Sequence, residues 1–238
     1  MKPQNIKDAD KTIQSVNAYI QEHEIKFVLG VDEAGRGTWA GPLVAAAVAV
    51  QPNWTPPAGL GDSKGLTRAT ISKLWQKYYR TTRHGIGVVH APEVDSMGLN
   101  PAQAHAQGQA IQEALKHTPS WVLTREILVV VDGNLPPVLD KSRIGKLMLI
   151  PKADALIPAV SLASVFAKMT QLNFMTEYDD KYPQYGFGQH AGYGGSQKHR
   201  DALEQFGVCD IHRRSFGPIK KILAKAQNPE RSWELLDD

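Results

Sequence analysis

Hydrophobic residues along this chain fall into short blocks of two kinds, some at helical spacing and some in strand-like runs. Ile6, Ile13, Val16, Tyr19 and Ile20 recur near helical spacing, which predicts a peripheral amphipathic helix over residues 6–22. Residues 27–31 are a short apolar run that stops at two acids. Residues 43–50 are an unbroken run of small and β-branched side chains, followed by a Pro- and Gly-rich stretch at 52–61, so strand then loop is predicted. A helix is expected at 71–80 and a strand at 85–89. The segment 100–117 opens with Asn100 as cap and Pro101 at the first helical position, and it closes before Pro119. Residues 127–131 are continuously apolar, as in a strand covered on both faces, and end at the turn Asp132-Gly133-Asn134. A shorter strand at 146–150 and helices at 161–178 and 198–206 complete the pattern. Strands and helices interleaved in this way predict an α/β fold, a mixed sheet with helices packed on it.

Composition narrows the class. Of 238 residues, 42% are hydrophobic and 21% charged, enough to build a core and inconsistent with a disordered or collagen-like chain. There is no internal repeat, and no composition break marks a firm domain boundary. The net charge of +3 permits nucleic-acid binding without demanding it. Cys209 is the only cysteine, so an intrachain disulfide and an all-cysteine metal site are both excluded. The opening residues lack the apolar stretch of a secretory signal. The longest apolar run, 43–50, is far short of the roughly 20 residues that span a bilayer. A soluble cytoplasmic protein with no membrane association is expected.

The candidate chemistry lies where acids meet strand ends. Asp32 and Glu33 end one apolar run, Asp132 ends another, and Asp154 follows a third. An Asp in such a place is ordinarily a turn or cap residue. Ligands in open α/β sheets nevertheless gather at the carboxyl ends of strands, and three strand ends would bring four carboxylates together. Four such groups cannot remain ionised side by side without a cation, and hard oxygen donors suit Mg²⁺ or Mn²⁺. Two ions about 3.5–4 Å apart would grip both the attacking water and the departing oxygen of a phosphodiester. Gly35-Arg36-Gly37 follows the acid pair directly. Its backbone can approach a ligand closely, and Arg36 adds a fork suited to phosphate; a simple tight turn is the competing reading.

Read in order, the motifs become more specific. Val31-Asp32-Glu33-Ala34-Gly35-Arg36-Gly37 continues to Ala40-Gly41-Pro42. Asp62-Ser63-Lys64, Val131-Asp132-Gly133 and Lys152-Ala153-Asp154 come next, then Ala163-Ser164 with Ala167-Lys168. Tyr182-Pro183, Tyr185-Gly186-Phe187, His190-Ala191-Gly192-Tyr193-Gly194 and His212-Arg213-Arg214-Ser215-Phe216 close the series. Over residues 27–218 this order resembles the ribonuclease HII family. The resemblance implies a ribonuclease H-like mixed central sheet flanked by helices, with a helical C-terminal extension. It implies a catalytic domain over 26–218, a helical extension at 1–25 and a tail at 219–238. It also implies an endonuclease that acts on RNA–DNA hybrids and nicks 5′ of single ribonucleotides in duplex DNA, leaving 5′-phosphate and 3′-hydroxyl ends.

By the same resemblance, Asp32, Glu33, Asp132 and Asp154 are the metal-binding catalytic acids, with Asp32 expected to bridge two ions. The backbone of Gly35, Arg36 and Gly37, together with Tyr193, is expected to sense the ribose 2′-hydroxyl, the group that separates RNA from DNA. Lys64 and Lys168 match positions that contact backbone phosphates. The protein is expected to act as a monomer. A ribonuclease HIII-like preference for longer hybrids, or a silent hybrid-binding module, are the competing readings. The first typically carries a substrate-binding domain ahead of the first strand, where only about 25 residues stand here. Thr38-Trp39 departs from the usual Pro and small residue, and Gln171-Leu172 from a common Arg-Asp pair. A dinucleotide fingerprint at 186–191 follows no strand and is set aside. Histidines 84, 90, 105, 117, 190, 199 and 212 form no zinc-protease spacing. Lys198-His199-Arg200, Arg213-Arg214 and Lys220-Lys221 are either duplex contacts or solvated helix faces.

Overall fold

The computed structural model describes residues 6–57, 59–60 and 65–227. In chain order the elements are α1 (Ile6–Glu22), β1 (Phe27–Ala34), β2 (Leu43–Val50), α2 (Arg68–Tyr78), β3 (Arg83–Val89), α3 (Ala91–Met97) and α4 (Leu99–Lys116). They continue with β4 (Ile127–Asp132), β5 (Lys146–Ile150), α5 (Pro158–Lys181), α6 (Phe187–His190), α7 (Gln197–Phe206) and α8 (Gly217–Gln227). Every strand expected from the apolar pattern forms.

Four differences from the expectation have physical reasons. β1 does not stop before its acids: Asp32, Glu33 and Ala34 stay paired with Ala46, Ala45 and Val44 of β2, whose small side chains leave room for carboxylates in the ladder. The short helix α3 was not anticipated. It carries Pro92 in its first turn, and the Glu93 carboxylate accepts from the His90 amide at 2.8 Å, a capping box built on histidine. α3 ends at Gly98, so α4 begins at Leu99 and Asn100 is not its cap; the Asn100 amide oxygen instead accepts from Arg36 Nη2 at 2.8 Å. α8 was also unforeseen and runs across the boundary expected at 218, with Ile219 buried.

The chain divides into two compact units, one of residues 1–34, 44–88 and 103–169, the other of residues 35–43, 89–102 and 170–238. The first holds the five-stranded sheet, ordered β3-β2-β1-β4-β5. β1 is antiparallel to β2 and parallel to β4, and β4 is parallel to β5, so the sheet is mixed. Val28, Val48, Val50, Leu128 and Val130 face a core built with Val160, Leu162, Val165 and Phe166 of α5, joined by Ile71 and Leu74 of α2 and Val16 of α1. Gly30 belongs to this face. A Cβ there would stand 2.1 Å from the backbone carbon of Ala159, so only glycine lets the start of α5 settle onto β1. α4 covers the other face, with its Ala106 and Ala110 backbone against Gly87 and Gly85 of β3.

The second unit is helical. Its core gathers Ala40, Met175, Tyr185, Phe187, Ala191, Leu203, Ile211 and Ile219. The loop 35–43 is threaded through it by isolated bridges of Thr38 to Tyr193 and Ala40 to His212. Among the described residues, no helix is long and apolar enough to cross a membrane.

Candidate active site

Strand register explains how acids a hundred residues apart come together. Val31 of β1 pairs with Val131 of β4, so Asp32 and Asp132 stand level at the carboxyl ends of adjacent parallel strands. Asp132 in turn pairs with Ile150, the last residue of β5, and the chain leaves β5 through Lys152, whose φ of 62° turns it into the 3-10 segment Ala153–Ala155. That turn sets Asp154 beside the other two. One carboxylate oxygen from each of Asp32, Asp132 and Asp154 lies within 4.8 Å of the others. Asp32 and Asp154 are 6% and 2% exposed, so water cannot screen the mutual repulsion of these charges.

The carboxylate of the fourth expected acid, Glu33, is not among the three that meet, though its charge reaches Asp32. Successive side chains of a strand point to opposite faces, so Glu33 leaves β1 on the α4 side when Asp32 leaves it on the α5 side. There the Glu33 carboxylate accepts from Gln107 Nε2 of α4 at 3.0 Å, outside the three-carboxylate cluster. Gln107 is fully buried, and the sequence reading had not singled it out.

Two further side chains that the sequence reading had not assigned a role build the site from α5. Ser161 and Ser164 are separated by three residues and so share a helix face. The Ser161 hydroxyl donates to the Asp154 carbonyl, fixing the turn that carries that acid. The Ser164 hydroxyl bonds the Asp32 carboxylate, and the Glu33 amide donates to Asp32 Oδ1 at 2.8 Å. The Ala153 amide donates to Asp132 Oδ1 at 2.7 Å. Lys168, half-buried, lies one turn beyond Ser164 on the same stripe. Burial raises the Asp32 carboxyl well above its ordinary value, helped by the negative charges of Glu33 and Asp132 and opposed by the Ser164 and Glu33 hydrogen bonds. A divalent cation would relieve that strain, and three oxygen donors with no nitrogen or sulfur fit Mg²⁺ or Mn²⁺.

Gly35, Arg36, Gly37 and Tyr193 belong to the second unit. Gly35 has φ of 79°, and a Cβ on it would stand 2.5 Å from the Pro42 carbonyl oxygen, so the loop requires glycine there. Thr38, one of the departures, is fully buried and closes the same turn by donating from Oγ1 to the Gly35 carbonyl at 3.0 Å. A hydroxyl thus does locally what proline's fixed φ does by restriction. Gln171, the other departure, is 3% exposed and donates to the Ala191 carbonyl at 3.2 Å, which ties down the segment before Tyr193. Tyr193 has a 50% exposed side chain, yet its backbone is held at both ends: its amide donates to the His190 carbonyl and its carbonyl accepts from His199 Nδ1. Asp62, Ser63 and Lys64 lie outside the described residues.

The histidines of this unit bond one another and the backbone. His199 Nδ1 faces a carbonyl, so it carries the proton and Nε2 accepts; His212 Nε2 donates to it at 3.1 Å, and His212 Nδ1 accepts from the Cys209 amide at 3.0 Å. Burial pulls both rings down to about 4, so they are neutral. Of the basic stretches, His199 and Arg213 point inward and Arg200 donates to the Gly194 carbonyl at 2.7 Å, whereas Arg214 is exposed.

The family model for ribonuclease HII matches residues 29–218. The ribonuclease HII of Polynucleobacter necessarius subsp. necessarius is 38% identical over 200 residues, covering 84% of this chain and 96% of that protein. That of Geobacillus thermodenitrificans is 38% identical over 200 residues, covering 84% of this chain and 71% of that protein. Among solved structures, the ribonuclease H2 from Pyrococcus horikoshii aligns with a TM-score of 0.63 at 24% identity, over 85% of this chain and 99% of that one. Bst-RNase HIII in complex with Mn²⁺ aligns with a TM-score of 0.64 at 20% identity, over 84% of this chain and 70% of that one. At these identities the structures speak for the fold.

Proposed function

The chain belongs to the ribonuclease HII family and is an endoribonuclease of ribonuclease H-like fold, and from that premise we propose that it nicks duplex DNA on the 5′ side of an embedded ribonucleotide, as well as cutting the RNA strand of RNA–DNA hybrids. The observation that carries this reading is the meeting of Asp32, Asp132 and Asp154 from three strand ends. These three would hold the catalytic Mg²⁺ or Mn²⁺, two ions in the working complex, with Glu33 as the fourth acid. When bound, such ions supply positive charge at the scissile phosphate and make water acidic enough to attack it, so no histidine base is needed.

The rest of the reading concerns the chain's own groups. Ser164 and the Glu33 amide occupy lone pairs of Asp32 and fix its orientation, and Ser161 does the same for the Asp154 turn through its carbonyl. Lys168 and Lys64 are assigned to phosphates of the duplex. The backbone of Gly35, Arg36 and Gly37 and the exposed ring of Tyr193 are assigned to the ribose and its 2′-hydroxyl. The protein works as a soluble cytoplasmic monomer in this reading.

The test is cleavage of a duplex with one embedded ribonucleotide, beside a continuous hybrid, with Mg²⁺, with Mn²⁺ and with EDTA. The expected outcome is a single nick 5′ of the ribonucleotide with either metal, leaving 5′-phosphate and 3′-hydroxyl ends, and no product in EDTA. Cutting of long hybrids alone would favour the ribonuclease HIII-like preference. Duplex binding without metal-dependent nicking would sink the proposal.

A further inference from the structure

Arg213 is the largest side chain fully buried among the described residues, at 0% exposure. A guanidinium is ordinarily wet, and burying one is unfavourable unless its N–H groups find acceptors. Here the acceptors are backbone carbonyls of one loop. Nε donates to the Gly41 carbonyl and Nη1 to the Arg36 carbonyl, each at 3.1 Å, while the Arg213 amide donates to the Trp39 carbonyl at 2.8 Å. One residue therefore fastens the loop 35–43 at three points, across its whole width. Nη2 is buried with no hydrogen-bond partner among the described residues, so the fork is spent on the loop and not on a bidentate carboxylate. The nearby Asp95 carboxylate bonds the amides of Arg214 and Ser215 and the Ser215 hydroxyl, which locks the turn that follows Arg213. Burial lowers the guanidinium to about 10, with Asp95 and Tyr193 opposing, so it stays charged at neutral pH.

The bond to Arg36 has a geometric consequence. Among the described residues no peptide bond is cis, and in a trans peptide the C=O and the N–H of the same unit point in opposite directions. With the Arg36 carbonyl aimed at the buried guanidinium, the Gly37 N–H of the same peptide must point away from it. Gly37 is exposed, and nothing lies within 4 Å of the place its Cβ would take. A charged donor on the carbonyl also polarises the peptide, which makes that N–H the stronger donor.

We infer that Arg213 is a positioning residue for ribose recognition, turning and polarising the Arg36–Gly37 peptide so that the Gly37 amide meets the 2′-hydroxyl of a bound ribonucleotide. This rests on the assignment of Gly35-Arg36-Gly37 to the ribose. Arg213 touches no substrate itself. Lysine cannot replace it, because a single ammonium on a flexible stem does not hold both backbone carbonyls, of Arg36 and Gly41, in a fixed plane.

The experiment measures affinity in EDTA, where nothing is cut, for two duplexes that differ only in one 2′-hydroxyl. Arg213→Lys and Arg213→Ala should each lower the ribose-to-deoxyribose affinity ratio about tenfold, the worth of one good hydrogen bond. Affinity for the all-DNA duplex should stay within about twofold, since the loss is confined to one contact. Methylguanidinium should restore part of the ratio in Arg213→Ala. Equal losses on both duplexes would mark Arg213 as merely structural, and an unchanged ratio in folded variants would overturn its role while leaving the loop's. A wild-type ratio near one would remove the loop's assignment and this inference with it. Should neither variant fold, the wild-type Gly37 amide resonance decides. It should shift on adding the ribonucleotide duplex and not on adding the all-DNA one, and a resonance indifferent to both overturns the inference.

Discussion

Asp32 and Glu33 are neighbours whose side chains leave β1 on opposite faces, and that difference sets what each substitution should do. The Asp32 carboxylate has two close acidic partners and almost no water, whereas Glu33 is bonded to Gln107 on the opposite face. Asp32→Asn keeps the shape and the Ser164 contact but removes the charge that would hold a divalent ion. Cutting should fall by at least about a hundredfold, since a metal ion contributes several kcal/mol to such a transition state. Affinity for the duplex in EDTA should hold or improve, because one negative charge facing phosphate has gone. A variant that still turns over at near wild-type rate with Mg²⁺ would contradict the metal role. The acid pair also shows what a motif hides. The string Asp-Glu reads as two ligands side by side, and only the pleat reveals that one of them starts from the far face of the sheet.

At the scale of elements, the geometry of the site depends on how closely α5 sits on β1. Ser161 and Ser164 reach Asp154 and Asp32 because Gly30 lets the start of α5 come to backbone contact. Gly30→Ala would place a methyl 2.1 Å from the Ala159 carbon, within a core that has no slack. The expected loss is about 3 kcal/mol of stability, read as a lower urea midpoint at unchanged slope, and activity should fall with it as the serines withdraw. A stable and fully active variant would show that α5 need not lie so close. The strands themselves were legible, since 127–131 and 43–50 are apolar without interruption and β4 and β2 form there. So was the convergence of strand-end acids. α3 was not, because seven residues with a proline and two acids give no hydrophobic period, and its cap is a histidine. Nor was the inward turn of Arg213: beside Arg214 it reads as half of a basic patch, and only its burial separates the two. Thr38 and Gln171 looked like losses against the family pattern, and both prove to be ties within the loop segments they flank.

For the molecule as a whole, acid acts with opposite sign on Asp32 and on the buried histidine pair. His199 and His212 are neutral in the folded protein, held down to about 4 by burial, against an ordinary value of 6.5. The unfolded chain therefore binds protons first as pH falls. Their contribution to stability is complete above about pH 6.5, declines through the window and is gone below about pH 4, where both states are charged. For one such ring the loss is about 3 kcal/mol; a proton on His199 Nε2 sets two N–H donors against each other across the 3.1 Å bond, and one on His212 Nδ1 faces the Cys209 amide in the same way. Asp32 works the other way. Its folded pKa is raised, so the folded state takes up its proton more readily and gains stability as pH falls through that value. Urea unfolding in EDTA between pH 7.5 and 4.5 should thus show a falling midpoint in Asp32→Asn, in which the raised Asp32 carboxyl no longer offsets the histidines. The double variant His199→Gln/His212→Gln should flatten that fall. Should Asp32→Asn hold its midpoint down to pH 4.5, the buried pair would have to take up protons as readily folded as unfolded, and the bonds that hold the Tyr193 carbonyl would need another explanation.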